Sequence, residues 1–313
     1  KTETEDAITI QGKTKTFSIL LMSFGRIGKR KMKRQKSFQN NNSTLYLVPT
    51  PIGNLQEMTP RALDVLKQVD VIAAEDTRNT KKLCMAYQIQ KPLISHHEHN
   101  QATSIPEILI LLEQGKQVAV VSDAGYPLVS DPGQRLVKEA IENDFNVVSL
   151  SGANAATNAL VASGLSTEHY LFYGFLDNKS SRRKKQLDEL KDFPYTMIFY
   201  EAPHRIEDML QDCLEVLGNR NIVLARELTK VYEEYIRGTI EEVLEIVSSL
   251  KGEMVVLIEG KRQETKIFDM KAALKQVQAL VDEGMKTKEA IKRVAQEMNG
   301  SKNELYEAYH KQS

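Results

Sequence analysis

Cysteine is scarce in this 313-residue chain: there are two, Cys84 and Cys213, far apart. That excludes a disulfide framework and a cysteine-based metal site, and fits a reducing, cytoplasmic setting. Net charge is absent too, with 42 basic and 42 acidic residues, which argues against a generally basic nucleic-acid binder but leaves room for local patches. Long apolar runs are missing. The stretch from Phe17 to Phe24 is too short to cross a membrane, and Lys and Arg follow it instead of a small-residue cleavage site. No G-x-G-x-x-G loop occurs, so a dinucleotide site has no support. No internal repeat stands out.

What is present divides into four stretches. Residues 1–43 differ from the rest: Arg26, Lys29, Arg30, Lys31, Lys33, Arg34 and Lys36 precede a polar run from Gln39 to Thr44. They read as a disordered, dispensable extension, with Met32 as a natural start; the alternative is a basic arm for phosphates. Residues 44–167 alternate between apolar runs and amphipathic segments, the pattern of a parallel α/β domain. Strands are expected at Thr44–Thr50, Val69–Ala74, Pro92–Ser95, Val118–Ser122 and Val147–Leu150. Thr59-Pro60 supplies a helix cap and first turn, Asn100 a second cap, and Asp131-Pro132 a third helix start. Residues 168–265 form a second α/β unit with strands at Tyr170–Tyr173, Tyr195–Tyr200, Ile222–Arg226, Glu234–Arg237 and Met254–Ile258. The third and fourth of these lack a helical spacer, so this sheet is mixed. Residues 269–313 are helical, with stops at Gly284 and Gly300, and read either as a helix-turn-helix-like module or as a cap on the second domain.

Ligands of parallel α/β sheets bind beyond the carboxyl ends of the strands. Three loops there are unusual. Pro49-Thr50-Pro51-Ile52-Gly53-Asn54-Leu55 is rigid and poor in side chains. The loop from Ser122 to Gly133 carries Asp123 at a strand end with no capping duty, whereas Asp131 reads as a cap. Ser151-Gly152-Ala153-Asn154-Ala155-Ala156 joins a strand to a helix of small residues, which permit close approach by a flat group. His96-His97-Glu98-His99-Asn100 looks metal-like, but adjacent imidazoles diverge and no Cys or carboxylate cluster accompanies them; no metal is expected. Glu75-Asp76-Thr77-Arg78 follows a strand and faces the same side. Lys179, Arg182, Arg183, Lys184 and Lys185 form a basic cluster, either a solvated helix start or a phosphate clamp.

These loops, with LYLVPTPIGNLQEMT, AAEDTRNTKKL, SHHEHN, SDAGYPLVSDPG, FYGFL, MIFYEAPHR and ARELTKVYEEYIRG in that order, resemble the tetrapyrrole-methylase family over residues 44 to about 260, most closely its ribosomal-RNA branch. The resemblance implies two α/β domains with a cofactor cleft between them, plus the small helical module. It implies S-adenosylmethionine as cofactor and a homodimer. It also implies 2′-O-methylation of a cytidine ribose in the decoding region of 16S ribosomal RNA, free or in the assembled small subunit. Rival readings are a methyltransferase of tetrapyrroles or other small molecules, and a non-enzymatic nucleic-acid-binding regulator.

Carried over, the cofactor site comprises Ile52, Gly53, Asp123, Gly125, Tyr126, Val129, Ser130, Asn154, Ala155, Tyr195, Met197 and Leu228. Gly125-Tyr126-Pro127 replaces a Gly-Asp-Pro turn of the tetrapyrrole enzymes, so backbone contacts are expected there. RNA contacts fall to Arg78, Arg205 and the 179–185 cluster. A ribose hydroxyl needs a proton acceptor. Asp76, Asp123, His97 and Lys230 are the candidates, Lys230 only if burial or positive neighbours lower its pKa.

Overall fold

The structure, a computed structural model, describes residues 32–37, 39–40, 42–261, 268–298 and 300–312. Of the extension expected over residues 1–43, residues 1–31 lie outside them.

The first sheet consists of β1 (Thr44–Leu47), β2 (Val71–Ala74), β3 (Leu93–Ser95), β4 (Val118–Val121) and β5 (Asn146–Ser149). All pairings are parallel, in the order β3-β2-β4-β1-β5. β2 and β4 are buried along their whole length, as near-continuous apolar strands in a doubly covered sheet should be. Helices α1 (Pro60–Gln68) and α2 (Thr77–Ala86) pack on one face against Ile72, Ala74, Ala119 and Val121. Helices α3 (Gln101–Glu113) and α4 (Gln134–Glu142) cover the other, against Leu45, Ala73, Val118 and Val120. The period-2 alternation of each strand decides which side chain meets which helix.

Thr59 caps α1, its Oγ1 accepting from Ala62 N at 3.2 Å, with Pro60 in the first turn. Two other expected starts differ. Asn100 makes no cap bond into α3; its side chain accepts from His97 N at 2.8 Å and donates to Ser95 O at 2.9 Å, folding the histidine segment back on β3. Helix α4 starts at Gln134 behind Gly133, so Asp131 is no cap. Lys33, Gln35 and Asn40, read from sequence as part of the extension, bond to the α4–β5 edge. Lys33 Nζ donates to Ile141 O at 2.9 Å and Glu142 O at 2.8 Å, at the α4 C-terminus where a cation suits the helix dipole. The Gln35 amide exchanges two hydrogen bonds with the Val147 backbone.

The second sheet, β6 (Tyr170–Phe175), β7 (Thr196–Glu201), β8 (Asn221–Arg226), β9 (Glu234–Thr239) and β10 (Met254–Ile258), runs β6-β7-β10-β8-β9. Only β6–β7 is parallel, so the sheet is mixed, and β8–β9 is the spacer-free antiparallel pair. Helices α6 (Ser180–Leu190), α7 (Ile206–Leu217) and α8 (Ile240–Leu244) bury one face, over Met197, Phe199, Leu224 and Val256. The other face is covered by α5 (Ala155–Ser163), which follows β5 of the first sheet. Its Ala156, Ala159 and Leu160 pack on Ile198, Val223, Val255 and Leu257. The small residues of the third loop's helix thus serve helix-on-sheet packing and weld the two units.

Helices α9 (Met270–Asp282), α10 (Thr287–Glu297) and α11 (Lys302–Gln312) bury Leu274, Val277, Ile291, Val294 and Leu305 in a core of their own.

Ala159 is fully buried under the sheet. Leu has nearly the helix propensity of Ala, so Ala159→Leu tests packing alone. Overpacking of this kind costs about 1–3 kcal/mol. Urea unfolding should show that loss; an unchanged midpoint would show that α5 is not tightly docked.

Candidate functional site

The three strand-end loops of the first domain are tied to one another. Thr50 N donates to Gly125 O at 2.9 Å and Gly125 N to Thr50 O at 3.0 Å, joining the first to the second. Tyr126 Oη accepts from Gly152 N at 3.0 Å, joining the second to the third. Gly125 sits at the crossing with φ +76°, and a Cβ there would stand 3.4 Å from Ile52 Cγ2 and 3.7 Å from Ala153 O. Leu128 and Ser130 hold φ values of 74° and 65°, left-handed conformations that residues with a Cβ seldom adopt and that mark functional loops.

Between these loops and the second sheet lies a cleft of about 440 Å³. Of the residues carried over for the cofactor, Ile52, Asp123, Gly125, Tyr126, Val129, Ser130, Asn154, Ala155 and Leu228 line it. Asn154 also caps α5, accepting from Thr157 N at 2.8 Å. Gly53 is one step outside, where a Cβ would come within 3.0 Å of Leu228 O and 2.6 Å of Lys230 Cγ. Tyr195 and Met197 do not belong to the cleft. Met197 is fully buried toward α6 and α7, and Tyr195 packs on His169 and Phe193 at the start of β7. The cleft opens instead at the carboxyl end of that strand, on Tyr200, Glu201 and Ala202.

Three carboxyl groups from two strand-end segments meet here: Glu75 after β2, and Asp123 and Asp131 at the two ends of the loop after β4. Burial raises the Glu75 pKa above the ordinary carboxylate value, and the nearby Asp123 charge adds to it. Asp131 is pushed up to about 6, first by burial and then by the Glu75 charge, against a stabilising bond from Ser122. Glu201 is 3% exposed. Its Oε1 accepts from Ala202 N at 2.8 Å and lies 3.2 Å from Arg205 Nε, while Oε2 has no partner. Burial raises its pKa as well. Sequence reasoning passed over Glu75, Asp131 and Glu201. Asp131 before Pro imitated a cap, and Glu75 was the member of its charge run directly after the strand, which was the available signal.

The proposed proton acceptors divide. Asp123 stands on the cleft, its Oδ2 accepting from Asn79 Nδ2 at 2.9 Å. His97 Nδ1 is buried without a partner. Asp76, by contrast, caps α2, accepts from Arg78 N at 2.8 Å and is gripped by the Arg78 guanidinium at 2.7 Å. The Arg78 bonds pull its pKa down to about 2, which makes it a poor base. Lys230 lies 3.1 Å from Glu227 and 3.2 Å from Glu253. Burial opposes its charge, but the two carboxylates outweigh that and raise its pKa, so it stays protonated.

The basic cluster divides likewise. Arg183, 3% exposed, is clasped by Asp212 at 2.6 and 2.7 Å and is structural. Arg205 holds Glu201 and donates to Leu176 O at 2.9 Å. Lys184 pairs with Glu215 at 2.6 Å and Arg182 with Asp177 at 3.6 Å. Lys179 and Lys185 are exposed. Among the described residues, no group of three His, Cys, Asp or Glu side chains is arranged to hold a metal ion. His96 bonds Ser104 through Nδ1 at 2.8 Å, and His97 and His99 meet only edge to face. No helix is long and apolar enough to cross a membrane among the described residues.

Two outcomes are expected. Removing one member of a buried ion pair strands the other, so Arg183→Ala should lose about 3–5 kcal/mol of stability in denaturant titrations; a loss below that of exposed Arg182→Ala would contradict the pairing. For Asp131, the folded-state pKa lies above the ordinary 3.8. Its contribution to stability is therefore full below pH 4 and lost as pH rises through about 6. Thermal melts should show Asp131→Asn more stable than wild type at pH 8, with the two converging near pH 4; a constant offset would rule out the shift.

The family model for Tetrapyrrole (Corrin/Porphyrin) Methylases matches residues 44–244. Ribosomal RNA small subunit methyltransferase I of Bacillus subtilis (strain 168) is 48% identical over 288 residues, 89% of this chain and 99% of that protein. The protein of that name from Halalkalibacterium halodurans is 44% identical over 90% of this chain and all of its own length. Among solved structures, cobalt precorrin-4 methyltransferase, a cobalamin biosynthetic enzyme, superposes with TM-score 0.55 at 14% identity, over 69% of this chain and 94% of its own. The methyltransferase CobJ gives 0.53 at 20% identity, over 71% and 97%. These last two share the fold. On its matched model and on relatives nearly half identical along their whole length, the chain belongs to the tetrapyrrole methylase family, in the branch that carries the name ribosomal RNA small subunit methyltransferase I.

Proposed function

We propose that this protein transfers a methyl group from S-adenosylmethionine to the 2′-oxygen of a cytidine ribose in 16S ribosomal RNA. The observation that supports it most is the cleft, which combines backbone-rich loops, apolar lining at Ile52, Val129 and Leu228, and three carboxyl groups. Such a site suits a molecule that combines a flat adenine with a positive sulfonium, because the carboxylates complement the cation in a partly desolvated setting. The names of the relatives point to small-subunit ribosomal RNA as the methyl acceptor.

When bound, the cofactor supplies an electrophilic methyl group. The chain's own residues do the rest. The crossed loops fix the cleft walls, so that a ribose oxygen and the bound group would be held with little freedom to reorient. Asp131 serves as the base of the cleft, since burial has lifted its pKa to about 6 while leaving it mostly ionised at neutral pH. It takes the hydroxyl proton as the oxygen attacks. Asp123, at the rim and bonded to Asn79, orients the ribose. The protein acts as a cytoplasmic homodimer and needs no metal.

The test uses unmodified 16S RNA and small subunits with labelled S-adenosylmethionine in the presence of a chelator. Nuclease mapping by mass should find one ribose methyl on a cytidine. Asp131→Asn should slow transfer by about 10²–10⁴-fold, the range of general-base contributions, with cofactor affinity retained. Label delivered to a tetrapyrrole and to no RNA would overturn the reading.

A further inference from the structure

In the 179–185 cluster Arg182, Arg183 and Lys184 are each answered by a carboxylate, so that Lys179 and Lys185 are the charges left without an ion pair among the described residues. A different element carries unanswered charge as well. Helix α2, TRNTKKLCMA, contains no acidic residue. Lys81 and Lys82 are exposed, and among the described residues neither they nor Lys91 makes an ion pair. Unpaired ammonium groups so close together repel one another and are left available for a polyanion.

Helix α2 is also a ridge between two concavities. On one flank a groove of about 560 Å³ runs between Arg78, Lys81, Met85 and Lys91. On the other, a hollow of about 250 Å³ lies between α2 and the loop after β1, lined by Pro51, Leu55, Asn79, Lys82 and Asp123. Asp123 lines the cofactor cleft as well, so one carboxylate forms the partition between the two spaces. The hollow offers what a single ribonucleotide requires. Leu55, 49% exposed, and Pro51 give an apolar edge for a base. The Asn79–Asp123 pair gives an acceptor and a donor for ribose hydroxyls. Lys82 gives a cation at the mouth. The Leu55 turn is anchored to α2 and its following residue by the Tyr87 hydroxyl, which donates to Leu55 O. Sequence-specific RNA recognition favours splayed, single-stranded nucleotides, whose unstacked base and ribose need a recess with both apolar and polar lining.

We propose that the hollow between α2 and the β1 loop receives the target nucleotide of a single-stranded RNA segment, with its ribose at Asp123 and the flanking phosphates on Lys81, Lys82 and Lys91. The proposal rests on the RNA-methyltransferase reading above and locates its substrate. It assigns the grip to α2 rather than to α6, and it makes Asp123 the point where substrate and cofactor meet.

The test uses the full chain, unmodified small-subunit RNA and three variants. Lys81→Ala/Lys82→Ala should weaken RNA binding and flatten its log–log salt dependence by about 0.7 per lost contact on single strands. Calorimetric affinity for S-adenosylmethionine should stay unchanged. Leu55→Trp, at an exposed position, fills the hollow and keeps every lysine charge in place. Methyl transfer should fall by about a hundredfold, the scale of a 1 Å misplacement, with the salt slope of RNA binding retained. Lys179→Ala/Lys185→Ala is the comparison: a slope change there and none in the α2 variant would overturn the proposal, as would full transfer by Leu55→Trp. If wild-type protein methylates the RNA and the α2 and Leu55 variants match it, the placement alone is wrong. If wild-type protein transfers no methyl to this RNA, the functional reading and the placement fall together.

Discussion

The arrangement depends on the docking of α5 onto the second sheet. The helix leaves the first domain directly after β5, yet its buried residues face Ile198, Val223, Val255 and Leu257 of the second. Alanine at 156 and 159 lets the helix axis come close to the strands, and close approach is what gives many dispersion contacts per residue. The far end is held as well: Arg237 of β9 donates to Ser163 O at 3.0 Å and Ala162 O at 2.7 Å, satisfying C-terminal carbonyls that would otherwise lack partners. With both its packing face and its end fixed, α5 leaves the two domains little freedom to hinge. The N-terminus of the helix, at Asn154 and Ala155, is therefore a rigid part of the cleft wall.

From that weld the site follows. The third loop is the lead-in to α5, the second is bonded to it through Tyr126, and the first to the second through Thr50 and Gly125. A chain of three short contacts converts the position of one helix into the position of a whole cleft floor. The opposite wall comes from the carboxyl end of β7, where Glu201 is kept in place by Arg205 and by its own neighbour's N–H. Carboxyl groups that are separate in sequence are brought together, and burial raises the pKa of Glu75, Asp131 and Glu201 alike. Isolated from water, such groups favour a bound cation or a proton, and both are features of methyl transfer from a sulfonium to a hydroxyl.

Charge is spent differently on the two flanks. On α6 and α7 the cations neutralise Asp177, Asp212 and Glu215 and so hold helices together. On α2 the lysines have no ion-pair partner among the described residues, which is why the same residue type is architectural in one place and available in the other.

Much of this was legible in the sequence because it depends on local periodicity and local chemistry. The apolar runs at Val118–Val121 and Met254–Ile258 could only be buried strands, Thr59-Pro60 could only open a helix, and the missing spacer between 226 and 234 forced an antiparallel pair. The three strand-end loops were visible for the same reason: glycine and proline at strand ends announce turns without reference to anything distant. The errors at Met197 and Arg183 concern partners that lie far away in the chain, and the one at Asp131 a strained turn close by. Asp131 looked like a cap because the true start of α4 is set by how the loop is strained around Leu128 and Ser130. Met197 looked like a wall of the cleft because strand parity decides the face, and parity is fixed only by register against β10. Arg183 looked like a phosphate clamp because Asp212, which claims it, is on another helix. Sequence by itself determined the elements, the turns and the family. Only the tertiary structure decided which charges are free, because a charge is free or paired according to its neighbours in space, and those neighbours come from segments that local pattern cannot connect.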